Sequence, residues 1–166
     1  MSGTEEDSRR QLMRWANGLP FGRAGFYVTR TTNDAAIPNG TYLRLTFNNV
    51  VDDAENWWTP GATTQQTFTV PTGLSGMYEI SAACYQGVFA SSTYLMLSVN
   101  STVVERSGSA NDDFRHIHTT VLLNDGDVLA LELGNFSGGA VTPTAIAAST
   151  TQMAVPSLRA YRISLL

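Results

Sequence analysis

The sequence predicts an all-β protein, a two-sheet antiparallel jelly-roll sandwich behind a short N-terminal helical or extended segment. Three observations predict it. Apolar residues recur with the period of two that a half-buried strand requires, as in Tyr78, Ile80, Ala82 and Cys84 against Met77, Glu79, Ser81 and Ala83. Turn-forming runs punctuate the chain at short spacing: Pro38-Asn39-Gly40, Pro71-Thr72-Gly73, Asn100-Ser101 and Asn124-Asp125-Gly126. Beyond Gly25 nothing reads as a helix long enough for a βαβ crossover.

The first 24 residues read differently from the rest, so the chain divides into an anchor segment, 1–24, and a β domain, 25–166. Thr4 can cap a helix, Glu5, Glu6 and Asp7 suit its N-terminus, and Arg9, Arg10 and Arg14 suit its C-terminal half. Gly18 and Pro20 stop it. Such a short helix is marginal alone and needs a partner surface. Trp15, Leu19 and Phe21 are therefore expected to be docking anchors, the alternative being a flexible leader.

Strands are then expected at 25–30, at 42–47 with a continuation to Val51, and at 66–70, 77–85, 94–99 and 102–105. Further strands follow at 115–123, 127–133 and 157–166. Asp52-Asp53 and Thr59-Pro60-Gly61 read as loops flanking Trp57-Trp58. Asn124-Asp125-Gly126 reads as the tight reversal of a hairpin, because Asp-Gly tolerates positive backbone angles.

Composition narrows the function classes. The 166 residues carry a net charge of -4 and only 14% charged side chains, with no basic run, so nucleic-acid binding lacks its electrostatic footprint. All cations are Arg, whose forked guanidinium suits subunit interfaces, although a GC-rich coding sequence gives the same bias. One cysteine, Cys84, cannot form an internal disulfide and reads as a small buried thiol. No membrane-spanning stretch and no apolar signal-peptide core is evident, so synthesis in a cytoplasm is expected.

Catalysis finds little support. The two imidazoles, His116 and His118, sit on one expected strand, and no nucleophile elbow, phosphate loop or dinucleotide glycine pattern appears. At a spacing of two they point the same way, as a metal pair or histidine ring would, but a third ligand is missing. No metal and no cofactor is expected. The acidic groups Asp52, Asp53 and Glu55, and Asp112-Asp113, read as solvated loops rather than calcium sites. Trp57 and Trp58, beside Tyr85, Phe89 and Tyr94, form a candidate surface platform for sugar. Strand alternation would send one of the two inward and leave the other for a surface or interface.

The order of motifs resembles a known family. Phe47-Asn48-Asn49-Val50-Val51, Trp57-Trp58, Phe68-Thr69-Val70-Pro71-Thr72-Gly73 and Gly76-Met77-Tyr78-Glu79-Ile80-Ser81-Ala82 look like the first half of a tumour-necrosis-factor-like domain. The nearer likeness is to the globular head of complement component one and its bacterial and viral relatives. Leu95 to Asn100, Val121 to Val128 and the closing run Ser157 to Leu166 resemble the second half. Ser101 stands where that family has glycine, Leu158 where it has phenylalanine, and no collagen-like stalk is present.

The resemblance implies a ten-strand jelly roll that forms a homotrimer about an apolar axis, with Tyr42, Tyr161 and Ile163 as candidate interface residues by analogy. It also implies a binding role rather than an enzyme. The reading that results is a trimeric virion protein of a tailed bacteriophage, decorating a capsid in contact with the major capsid protein or another virion protein. The alternative is a receptor-binding or adhesive knob of a phage fibre, recognising a host-surface glycan or protein.

Overall fold

A computed structural model describes residues 24–86, 92–107, 113–145 and 156–165. Ten strands run in order: β1 (Gly25–Thr29), β2 (Thr41–Arg44), β3 (Asn49–Asp53), β4 (Thr67–Thr69), β5 (Gly76–Tyr85), β6 (Thr93–Val99), β7 (Thr102–Arg106), β8 (Phe114–Leu123), β9 (Val128–Asn135) and β10 (Ser157–Leu165). No helix occurs among the described residues. The strands form two antiparallel sheets, β3-β1-β10-β5-β8 and β2-β9-β6-β7. β4 also pairs with β9, end to end with β2 along the same edge. The docking anchors Trp15, Leu19 and Phe21 lie outside the described residues.

Alternation decides what goes between the sheets. Phe26 and Val28 of β1, Tyr78, Ile80, Ala82 and Cys84 of β5, and Leu158 and Ala160 of β10 point inward from the first sheet. Leu95 and Leu97 of β6, Leu129, Leu131 and Leu133 of β9, and Phe68 of β4 meet them from the second. Phe26 stacks on Phe68 at 4.6 Å and meets Trp57 at 4.9 Å, and Trp57 stands edge-on to Tyr78 at 5.5 Å. Burying each such ring or aliphatic side chain contributes about 1.5–3 kcal/mol.

Three departures from the sequence reading concern connections. The expected strand from Tyr42 to Val51 is two strands in different sheets. After Leu45 the chain crosses between layers, with Phe47 bridging Gln65 and the Asn48 side chain accepting the Thr31 N–H. Asp52 and Asp53 belong to β3 rather than a loop, Asp53 closing it by accepting the N–H groups of Trp57 and Trp58 at 2.7 and 2.9 Å.

The third is a correction. Asn124-Asp125-Gly126 does turn sharply, with Gly126 at φ 83° and Asp127 N–H donating to Asn124 C=O. It makes no hairpin. β8 pairs with β5 and β9 with β2, β4 and β6, so the turn carries the chain from one sheet to the other. What holds it is the Asp125 carboxylate, which accepts from Gly73 N–H (2.6 Å), Leu74 N–H (3.1 Å), Ser75 N–H (2.8 Å) and the Ser75 hydroxyl (2.7 Å). These donors, led by the Gly73 N–H, hold the Asp125 pKa below its ordinary value of 3.8.

A two-residue hairpin does join β6 to β7 through Asn100 and Ser101, at φ 51° and 65°. Both occupy the left-handed region where a Cβ crowds the backbone. Asn100 is anchored by bonds to Asp127 and to Val128 N–H, whereas Ser101 holds its angle against strain. Ser101→Gly should raise unfolding free energy by about 0.5–1 kcal/mol in a urea melt. A loss of stability would show that Ser101 is not strained.

Asp125 has a pH signature. Its folded pKa lies below the unfolded one, so its stabilisation is complete above the unfolded value and lost as pH falls through the folded one. Asp125→Asn should lower Tm by a constant margin from pH 5 to 7, a margin that narrows below the ordinary carboxylate value of about 3.9. A pH-independent margin would refute the charged clasp.

Candidate interaction surfaces

With apolar side chains filling the space between the sheets, the described polar and aromatic groups that meet solvent on the strands lie on the two outward faces. On the first sheet the register sets Tyr27, Arg159, Ser81 and His118 in one row across β1, β10, β5 and β8. All four face out because their neighbours Phe26, Val28, Leu158, Ala160, Ala82 and Ile117 are buried. Arg159 Nη2 lies 3.5 Å from Ser81 Oγ, Ser81 Oγ lies 2.9 Å from His118 Nδ1, and His118 Nε2 lies 3.9 Å from Glu79 Oε1. If Arg159 donates to Ser81 and Ser81 to Nδ1, the imidazole keeps its proton on Nε2, facing Glu79. Burial pushes the Tyr27 pKa up, with Arg159 pulling weakly the other way.

Sequence reading missed this serine–histidine–carboxylate set, because Ser81 and His118 are 37 residues apart and meet only through the β5–β8 register. It is poorly equipped for acyl transfer. The carboxylate contact is long, and Ser81 sits inside a strand whose two neighbours take its backbone groups, leaving no N–H pair to stabilise an oxyanion. Among the described residues, no three His, Cys, Asp or Glu side chains gather as metal ligands. Cys84 is fully buried and its pKa is pushed up to about 12, first by burial, so its thiol is held protonated.

Beside this row, the small residues Ser81, Ala83 and Ser157 floor a cleft of about 210 Å³ framed by Phe114, His116, His118 and Arg159. Tyr161 lies along the same face over Gly25, where a Cβ would stand 2.8 Å from its ring and 2.0 Å from the Ala160 carbonyl. Ile163 is 45% exposed toward the end of β10.

The outer face of the second sheet uses the same device. Tyr42 of β2 lies opposite Gly134 of β9, and Tyr94 of β6 lies on Gly134's other side. A Cβ on Gly134 would stand 2.7 Å from the Tyr42 ring. Phe136 meets Tyr42 edge-on at 5.3 Å and Tyr94 at 6.3 Å, and the Arg106 guanidinium covers Tyr94 at 3.4 Å. One row along, Arg44 donates from Nε and Nη2 to Glu132 Oε1 at 3.1 and 2.9 Å.

The expected sites are thus redistributed. Tyr42 stands on the opposite face of the sandwich from Tyr161. Trp57 is 2% exposed and belongs to the core, which withdraws it from surface binding. Trp58 is half-buried, its indole N–H held by the Ala62 carbonyl at 3.0 Å and its ring tilted against Phe68. Tyr94 lies with Tyr42 and Phe136 instead of with the tryptophans. The in-strand glycine Gly134 was the readable signal for that cluster.

No protein-family model matches the chain, and no curated protein sequence does. Solved structures do. The globular domain of a zebrafish complement 1qA protein matches with a TM-score of 0.54 at 14% identity, over 85% of this chain and 98% of that one. Murine APRIL matches at 0.57 and 8%, over 85% and 99%. PRD1 vertex protein P5 matches at 0.56 and 14%, over 86% and 96%. The chain has the jelly-roll fold of these domains. At such identities the likeness is one of fold. No helix among the described residues of this jelly roll is long and apolar enough to cross a membrane.

One property of the jelly roll's interior is directly measurable. Cys84 should resist a thiol reagent at pH 8 in the native protein and react promptly in denaturant. Fast native labelling would contradict its burial.

Proposed function

We propose that this protein is a homotrimeric structural component of a virion, decorating a capsid through contacts with its major capsid protein or another shell protein. The observation that carries this reading is the outer face of the β3-β1-β10-β5-β8 sheet. It offers a floor of small residues between larger ones, with Phe114, Leu122 and Ile163 exposed at 38%, 48% and 45%. Phe114 and Leu122 stand near the two ends of β8 and Ile163 at the register shift of β10, so the exposed apolar residues are spread along this sheet, and exposed apolar surface of this kind suits a protein contact. The trimer is what the resemblance implies, and the fold likeness to a PRD1 vertex protein supports a shell component. Tyr161 and Ile163 suit this interface, and Tyr42, on the other face, is left out of it. Trp15, Leu19 and Phe21 serve as the capsid anchor in this reading.

The adhesive-knob reading is the second, favoured by the aromatic cluster of Tyr42, Tyr94 and Phe136 on the opposite face. The two roles differ in what they bind. A decoration protein co-sediments with purified capsids in many copies, whereas a knob binds host cells.

Light scattering on the 166-residue chain should give the mass of three chains at micromolar concentration. Ala83→Arg, which drives a charge into the cleft floor, should yield a folded monomer with an unchanged β-sheet circular dichroism spectrum. Replacing Trp15, Leu19 and Phe21 together by Ala should abolish capsid co-sedimentation and leave the trimer intact. A wild-type monomer would sink the assembly reading, and a trimeric Ala83→Arg would move the interface elsewhere.

A further inference from the structure

We propose that the outer face of the β2-β9-β6-β7 sheet is a binding platform for a neutral saccharide, with Tyr42 and Phe136 stacking against a pyranose ring and the Arg44–Glu132 pair bonding its hydroxyls. This deepens the adhesive reading and is independent of trimer formation on the other sheet.

The platform is built around a missing side chain. Gly134 sits in the middle of its row, and its bare Cα lets the Tyr42 ring settle against the sheet. Tyr42 nevertheless remains 58% exposed and Phe136 41%. Their planes meet at 69°, which makes an open corner rather than a flat patch. Arg106 already occupies a face of Tyr94, so Tyr42 and Phe136 are the rings left with surface to offer.

Size argues against a protein as occupant. A stable protein contact covers about 800 Å² on each partner. Here two part-exposed rings are bounded on the sheet by Arg44, Glu132 and Arg106. The charge nearest Tyr42 is neutralised, because Arg44 is matched by Glu132 at 2.9 Å, while the Arg106 guanidinium lies one ring farther on, spent over Tyr94.

What that ion pair leaves over is unused N–H groups on the Arg44 guanidinium and one carboxylate oxygen of Glu132. Among the described residues, Nη1 of Arg44 and Oε2 of Glu132 take no hydrogen bond, and the pair is partly exposed at 38% and 22%. Both side chains lie two residues along their strands from Tyr42 and Gly134, a step of about 7 Å, and Phe136 stands on the other side of that row. Apolar ring surface beside a neutral donor–acceptor edge is complementary to a pyranose. Such a sugar has a face of C–H hydrogens, which the negative face of an aromatic ring attracts, and a rim of hydroxyls that both donate and accept.

Saturation-transfer NMR on the 166-residue chain tests this, with methyl β-D-glucopyranoside, methyl β-D-galactopyranoside and methyl α-D-mannopyranoside as neutral probes and glucuronate as the acidic one. Transfer to the ring C–H protons of at least one neutral glycoside is expected. Tyr42→Ala and Phe136→Ala should each weaken binding about five- to ten-fold through the lost stacking. Glu132→Gln, which keeps the shape and removes the charge, should weaken it as well. Val51→Ala, on the edge strand β3 of the other sheet, should leave binding unchanged. If Tyr42→Ala does not fold, Phe136→Ser and Glu132→Gln carry the test. Silence from all three neutral glycosides, transfer to glucuronate alone, or full binding in Phe136→Ala and Glu132→Gln would each overturn the proposal. Binding to host cells that none of these substitutions reduces would overturn it too, while leaving the adhesive reading standing.

Discussion

The structure depends on where its last described strand sits. β10 lies between β1 and β5, hydrogen-bonded to both, and its Leu158 and Ala160 are completely buried in the core. The sheet β3-β1-β10-β5-β8 therefore cannot close until residues 157–165 have inserted between strands contributed much earlier in the chain. The pairing is tightly constrained in register. Tyr161 stands opposite Gly25, and Gly76 has no room for a side chain against the Ser164 carbonyl and the Arg162 stem. A slip of one residue would turn Leu158 and Ala160 to the outside and bring Arg159 into the core. The polar row from Tyr27 through Arg159 and Ser81 to His118 exists only because β10 completes it.

That dependence explains how much the sequence disclosed. Alternation in β5 separated Tyr78, Ile80, Ala82 and Cys84 from Met77, Glu79, Ser81 and Ala83, and in β8 it set His116 and His118 on one side, because alternation is a local property of a strand. Partnership is not local. Asn124-Asp125-Gly126 has the chemistry of a sharp reversal and makes one, yet its arms join different sheets. Turn residues specify backbone angles and say nothing about which strand comes alongside. The run from Tyr42 to Val51 looked continuous because no Gly or Pro interrupts it, although the alternation of Leu43, Leu45 and Phe47 stops at Asn49.

The same limit governed the surfaces. The tandem tryptophans do part, Trp57 into the core and Trp58 half-buried against it, but in a loop between β3 and β4 and not by strand alternation, and Trp58 is held there by the Ala62 carbonyl. The aromatic group that does face outward draws Tyr42, Tyr94 and Phe136 from three places in the sequence, brought together by the β2–β9–β6 register. Both outer faces use one local solution, a tyrosine laid across an opposing glycine. It shields backbone where a sheet has a gap and fixes an aromatic ring in a set orientation. On the first sheet that ring is nearly covered, and on the second it is left open.

Two of the edge strands, β3 and β7, share a construction of their own. Each shifts register against its neighbour, between Tyr27 and Val28 in one case and between Leu97 and Ser98 in the other. Each also ends in two charged residues, Asp52-Asp53 and Glu105-Arg106. A kinked, charged rim is a poor template for another backbone, even though Val50, Val51, Val103 and Val104 are exposed along it. These two rims are thereby guarded against fibril growth, so the protein can be packed at high local density with its valines showing and still resist cross-β aggregation there.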